Sequence, residues 1–365
     1  MLQGIRILEV EGLGPGPFAA MTLADLGAEV ICVHRPYTPR TPARAPGMPE
    51  HSLLDRGKRS VTLDLKEPGD AETFLKLAQT AHGLIEGFRP GVMERLGLGP
   101  EQCHAMNPGL VYGRMTGWGQ DSPLAHAAGH DLNYISLSGA LWYASSPGDA
   151  PLTPATLVGD IGGGAMYLVA GMLAGILKAK ATGEGCVVDA AIYDGSAHMM
   201  NLLMSIRQAG NFGVTRGANL LDGPHWSRTY ACAGGGYVSV QCLEPKFYAQ
   251  FLEKLGLSED PEFQRQFDKA LWPALTGRLA GIFAGQPRDH WAALFGGSDA
   301  CVAPVLNPEE AMAHPMNARR AWIEAEGVLQ AAPAPRFSGQ PEWTPPEIPR
   351  RGQHTEEILA ELNQK

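Results

Sequence analysis

Apolar and polar positions follow two alternating periods along this chain. Ile5 to Val10 is a short apolar run, broken by the Gly/Pro turn from Gly12 to Pro17. Phe18 to Leu26 then carries apolar residues at helical spacing and stops at Gly27, and Val30 to Val33 is a second apolar run. Strand, turn, helix, strand is one βαβ unit, expected to be parallel and right-handed. The pattern repeats. Ser60 to Leu65, Gly83 to Glu86, Leu110 to Arg114 and Val187 to Ala191 read as strands, and Ala71 to Thr80 as a helix. Ala165 to Leu177 reads as an apolar helix closed by Lys178, Lys180 and Gly183. Basic residues in the last turn and a glycine beyond it fit a helix C-terminus. The predicted class is α/β, with an open, parallel, Rossmann-like sheet.

The second half has a different rhythm. Tyr193 to Gln208 reads as a helix whose Met199, Met200 and Met204 face a core. Gly210 to Gly223 reads as a loop, and Tyr230 to Cys242 as a hairpin around Gly234 to Gly236. Glu244 precedes a helix that has Pro245 in its first position. The stretch to about Pro304 is expected to be a small α+β domain. Asn307 to Pro349 is proline-rich and leads to a short helix within Gly352 to Leu362. The expected division is a large domain of residues 1–190 and 328–365, a linker over 191–222, a small domain over 223–305 and a return linker over 306–327.

Composition narrows the class. A chain of 365 residues with 44% hydrophobic and 18% charged content is globular and has room for two domains. A net charge of −9 argues against a nucleic-acid partner, which needs a basic face. The six cysteines form no Cys-x-x-Cys pair and sit beside no histidine at ligand spacing, so neither a metal site nor a disulfide framework is expected. The longest apolar run, Ala165 to Leu177, covers 13 residues and is too short for a membrane span. The N-terminus shows no basic-then-apolar leader and the C-terminus no sorting signal, so a cytoplasmic location is expected.

Three features carry candidate chemistry. Arg35, Arg56, Lys58, Arg59, Arg89 and Arg95 lie at or near strand ends, where an α/β sheet forms its ligand crevice. They are either a pocket for a phosphorylated ligand or ordinary solvated charges. Arg40 and Arg44 sit in the Pro-rich loop that follows the second strand. The Gly12–Pro17 turn is no dinucleotide fingerprint, because prolines interrupt it and His34-Arg35 replaces the ribose-binding acid. Finally, His130 and Asp160 offer an imidazole and a carboxylate. Asp160 reads either as the N-cap of the apolar helix or as a reacting group. Gly162 to Gly164 would weaken a first helical turn, which implies a close approach to the backbone there.

Ordered motifs then point to a family. They are Gly-Pro-Gly-Pro-Phe-Ala-Ala-Met (14–21), Ala-Asp-Leu-Gly-Ala-Glu-Val (24–30), Ile-Glu-Gly-Phe-Arg-Pro-Gly-Val (85–92) and Tyr-Gly-Arg-Met-Thr-Gly-Trp-Gly-Gln (112–120). Ala-Gly-His-Asp-Leu-Asn-Tyr (128–134), Val-Gly-Asp-Ile-Gly-Gly-Gly (158–164), Glu-Pro-Lys-Phe-Tyr (244–248), Ser-Asp-Ala-Cys-Val-Ala-Pro-Val-Leu (298–306) and His-Thr-Glu-Glu-Ile-Leu (354–359) follow. Over nearly its whole length the chain resembles the racemase branch of the family III (CaiB/BaiF-type) coenzyme A transferase superfamily.

The resemblance implies two interlocked monomers forming a homodimer. Each active site would lie between the large domain of one subunit and the small domain of the other. It implies epimerisation of 2-methylacyl coenzyme A thioesters by 1,1-proton transfer through an enolate. His130, oriented by Glu244, would serve one face and Asp160 the other, with backbone N–H groups near Asp160 holding the enolate oxygen. Coenzyme A would be held by groups matching Arg35, Leu63, Lys66, Arg89, Arg95, Gly129, Asp131 and Tyr134. Coenzyme A is part of the substrate, and no metal or redox cofactor is implied. In the family's transferases, which generally lack the histidine, the position of Asp160 is a nucleophile, so acyl-CoA:carboxylate transfer is the alternative. Two departures touch specificity: Asp222 to Tyr230 is one residue shorter than the family's loop, and Arg40 to His51 resembles an insertion.

Overall fold

The computed structural model of the protein describes residues 1–37, 51–317, 321–325 and 327–364. Arg40, Arg44 and most of the Arg40–His51 stretch lie outside them. The chain divides into two compact units: Met1–Leu141, Thr153–Met200 and Ala321–Lys365 form the first, and Trp142–Leu152 and Asn201–Arg320 the second.

The first unit is built in chain order from β1 (Arg6–Val10), α1 (Pro15–Asp25), β2 (Glu29–His34), β3 (Arg59–Thr62), α2 (Pro68–Thr80), β4 (Gly83–Glu86), α3 (Val92–Arg95), α4 (Pro100–Met106) and β5 (Val111–Thr116). Then come α5 (Asp131–Ser138), a π-helical segment (Leu157–Ala165), α6 (Met166–Thr182), β6 (Cys186–Ala191) and α7 (Ile192–Met199). The six strands form one parallel sheet in the order β3-β2-β1-β4-β5-β6. Both faces are covered, so neighbouring strand residues enter opposite cores. Ile7, Val30 and Val111 pack with α1 and α6 on one face. Leu8, Ile31 and Tyr112 pack with α2 on the other.

The long apolar helix departs from expectation. The π-helical segment runs on into α6, giving 26 helical residues from Leu157 to Thr182, enough by length and composition to cross a membrane. Leu168, Val169, Met172 and Ile176 are nevertheless part of the first core, as in the central helix of a globular sheet domain.

The second unit holds α8 (Asn201–Gln208), β7 (Ser227–Ala231), β8 (Tyr237–Gln241), α9 (Pro245–Leu255), α10 (Trp272–Phe283), α11 (Arg288–Phe295), β9 (Val302–Pro304) and α12 (Pro308–Ala313). The expected hairpin is there: β7 and β8 pair antiparallel with Tyr230 opposite Val238, and Gly234 and Gly235 turn with φ of +80° and +94°. Trp142–Leu152 joins this unit through Tyr143, whose ring lies 4.5 Å from that of Phe212. The expected single helix over 193–208 is two, because the chain passes between units at Met200. Its methionines are not core: Met199 is 38% exposed, and Met200 and Met204 are half-buried. His225 and Trp226, within the shortened segment, are fully buried in this unit's core. The hairpin β10 (Trp322–Ala325) and β11 (Val328–Ala331), then α13 (Thr355–Asn363), complete the chain.

Candidate active site

In the parallel sheet, β2, β3, β4 and β5 all point their C-terminal ends the same way. Arg35 follows β2, Leu63 and Lys66 follow β3, Arg89 and Arg95 follow β4, and His130 follows β5. Lys66, Arg89 and Arg95 are exposed and hold no carboxylate among the described residues. Leu63 differs in kind: it is 3% exposed, its side chain is in the second core, and its N–H donates to the His34 carbonyl.

The other three cations do not contribute to an anion pocket. Arg56 Nη2 is 2.5 Å from Asp25 and Nη1 donates to Gln330 and to the Ala331 carbonyl. Lys58 Nζ lies 2.5 Å from Glu9 and is fully buried. Arg59 bridges Glu29, Glu357 and Glu361. They lie just before β3 or open it, and tie distant parts of the chain together. Sequence position near a strand end could not distinguish these cations from the free ones, because their carboxylates come from 30 to 300 residues away. Cys32, His34 and Asp55 bring ligand-type atoms within 4.8 Å of one another, a cluster that spacing did not reveal. Lys58, 3.9 Å from Asp55, already supplies a cation there.

His130 occupies the N-cap of α5 in extended backbone, and its N–H donates to the Asn133 Oδ1 at 3.0 Å. The side chain is exposed. Tyr134 donates its hydroxyl to the Gly129 carbonyl, and its ring packs edge-on against Trp118 at 4.8 Å. Gly129 must be glycine, since a β-carbon there would lie 2.7 Å from the Tyr134 ring.

Asp160 is not an N-cap. It lies in the first turn of the π-helical segment, which begins after Thr156 at φ +64°. Such widened turns are rare and concentrate at functional sites. The triple glycine has a structural reason. What approaches its backbone is α7: a β-carbon on Gly163 would lie 2.3 Å from Ser196 Oγ, and one on Gly195 1.9 Å from the Gly163 carbonyl oxygen. The Gly-Pro turn before α1 meets Asp160 from the other side, since a β-carbon on Gly14 would lie 3.8 Å from Asp160 Oδ2.

Asp131 links the two candidate groups. Its Oδ1 accepts the N–H of Gly159 at 2.9 Å and of Asp160 at 2.8 Å, while its buried Oδ2 has no partner among the described residues. Those two N–H groups are therefore occupied, which removes them as the expected donors to an enolate oxygen. Burial, and after it the Asp131 charge, push the Asp160 carboxyl up to about 6, with His130 pulling the other way. A carboxyl tuned near neutrality can both take and give a proton.

Glu244 sits in the second unit as the N-cap of α9, exposed and without a side-chain cap bond. It helps raise the Cys301 thiol, after burial.

The model of CoA-transferase family III matches residues 2–355. The chain belongs to this family. Within the family, it is 39% identical over 368 residues to the human "Alpha-methylacyl-CoA racemase" and 38% identical over 366 residues to the mouse protein of that name, each covering 99% of this chain and 93% of the relative. Among solved structures, a CaiB/BaiF family protein from Brucella suis superposes with a TM-score of 0.82 at 27% identity, covering 99% of this chain and 98% of that one. The family III fold thus accounts for the mixed α/β architecture and its parallel sheet.

Proposed function

We propose that the chain is a racemase of 2-methylacyl coenzyme A thioesters. The observation that carries this reading is the joining of His130 and Asp160 through α5, with the Asp160 carboxyl raised to about 6. Epimerisation needs one group on each face of the α-carbon, each able to remove and return a proton. Thioester carbonyl polarisation lowers the barrier by spreading the carbanion charge onto oxygen as an enolate. At the start of α5 the Asn133 N–H is taken by the His130 carbonyl, which leaves the N–H groups of Asp131 and Leu132, next to His130, as the donors available to that oxygen. Lys66, Arg89 and Arg95 supply charge for the phosphates of coenzyme A, with Arg35 beside them.

Glu244 of a second copy of the chain orients His130 in this reading, which makes the homodimer the catalytic species. The exposed apolar side chains of the first unit support a covering partner: Leu137, Leu157 and Leu177 are each at least 60% exposed. The test is to incubate one 2-methylacyl coenzyme A epimer in heavy water. Epimerisation with α-deuterium incorporation is expected. Acyl exchange with a free carboxylate and no α-deuterium would instead establish Asp160 as a transferase nucleophile.

A further inference from the structure

We propose that Asp131 is the positioning residue for Asp160, and that it fixes the separation of the two acid/base groups by holding one through its backbone and the other through its side chain. This rests on the racemase reading and deepens it. Asp131 is the first residue of α5, so His130 is its immediate neighbour at the N-cap. Its side chain reaches the π-helical turn and takes the N–H groups of Gly159 and Asp160 at 2.9 and 2.8 Å. It is 6% exposed, and Gly159 is held so close that a β-carbon there would lie 2.4 Å from Asp131 Oδ1. A carboxylate accepting two backbone N–H bonds fixes the turn in orientation as well as distance.

The same contact acts on the charge of Asp160. Among the described residues, the charged groups that act on it are Asp131 and His130, at the start of α5, while Asp160, after burial, raises the Tyr134 hydroxyl. The α1 turn brings Gly14 toward it, and α7 brings Ser196 and Ile192 against the neighbouring glycines. After burial, Asp131 is therefore the like charge among the described residues that holds the Asp160 proton, and its buried Oδ2 has no partner there.

The experiment follows α-proton exchange of each epimer separately in Asp131→Ala and Asp131→Asn, together with kcat, KM and a carbon-13 carboxyl titration of Asp160 in the substrate-free protein. Asp131→Ala should lower exchange from the Asp160 face about 10- to 100-fold through misplacement. Exchange from the His130 face should stay within about threefold. Asp131→Asn keeps the oxygen acceptor, so it should recover most of the lost exchange while the Asp160 midpoint falls toward the ordinary aspartate range. Equal losses on both faces, a rise in KM alone, or an unmoved Asp160 midpoint would overturn the proposal. If the wild-type protein exchanges no α-proton, the racemase reading fails by itself. The carboxyl titration still decides whether Asp131 governs Asp160.

Discussion

Arg114 lies between two carboxylates, 3.1 Å from Glu86 Oε1 and 2.8 Å from Glu94 Oε1. Glu86 ends β4 and its other oxygen accepts the Phe88 N–H at 2.7 Å, while Glu94 belongs to α3. This chain of contacts clamps the turn carrying Arg89 and the short helix carrying Arg95. Burial raises the Glu86 carboxyl to about 7, so its anionic form depends on Arg114. Arg114→Ala should raise KM for a coenzyme A thioester about tenfold with kcat little changed, because one lost charged hydrogen bond to phosphate is about 1.5–3 kcal/mol. It should also destabilise the fold increasingly as pH rises above 7, where Glu86 would have to ionise while buried without its partner. Arg89→Ala should show the same KM effect without the loss of stability. Isothermal titration and chemical denaturation measure the two separately, and unchanged affinity in both variants would refute the anion pocket.

Asp160 should cost stability where it is ionised. Its carboxyl is raised from 3.8 to about 6 in the folded chain, so the folded state holds the proton more tightly than the unfolded one. The stabilising effect is complete below the unfolded value and is lost as pH rises through 6. Asp160→Asn should therefore be more stable than the wild type at pH 8, by about 1 kcal/mol once solvent screening of a half-buried group is allowed for. The difference should vanish near pH 4. Melting curves across this range decide it, and a stability gain that persists at pH 4 would point to packing instead.

Loss of either acid/base group should be one-sided. His130→Ala and Asp160→Ala should each abolish epimerisation. Each should still exchange the α-proton of the epimer that faces the surviving group, at a rate reduced far less than the 10²–10⁴-fold effect on the other face. Deuterium incorporation measured by mass spectrometry on each pure epimer gives the readout. Full epimerisation by His130→Ala would sink the two-group mechanism and favour a nucleophilic Asp160.

The exposed leucines should hold two copies together. Wild-type protein is expected to sediment as a dimer at micromolar concentration. Leu137→Glu combined with Leu177→Glu places charge on two apolar side chains that are 60% and 70% exposed in the single chain. It should shift the protein to monomer and remove activity together, since Glu244 is then no longer supplied by a second copy. An active monomer in sedimentation velocity would refute the shared site.

The sequence by itself determined the α/β alternation, the strands and the hairpin, because hydrophobic periodicity and Gly/Pro punctuation act over a few residues. It also singled out His130, Asp160 and the cations as candidates for chemistry, since they lie in short ordered motifs. Only the tertiary structure decided which charges were free: Lys58 and Arg89 look alike in sequence, yet one is buried against Glu9 and the other faces solvent. Likewise, the sequence leaves Asp160 open as a helix cap or a reacting group, and the structure shows it is no cap. The π-helical turn that holds it depends on Asp131 from α5 and on the close approach of α7 to Gly163. Contacts between residues about thirty apart are set by loop closure and packing, which local patterns do not encode.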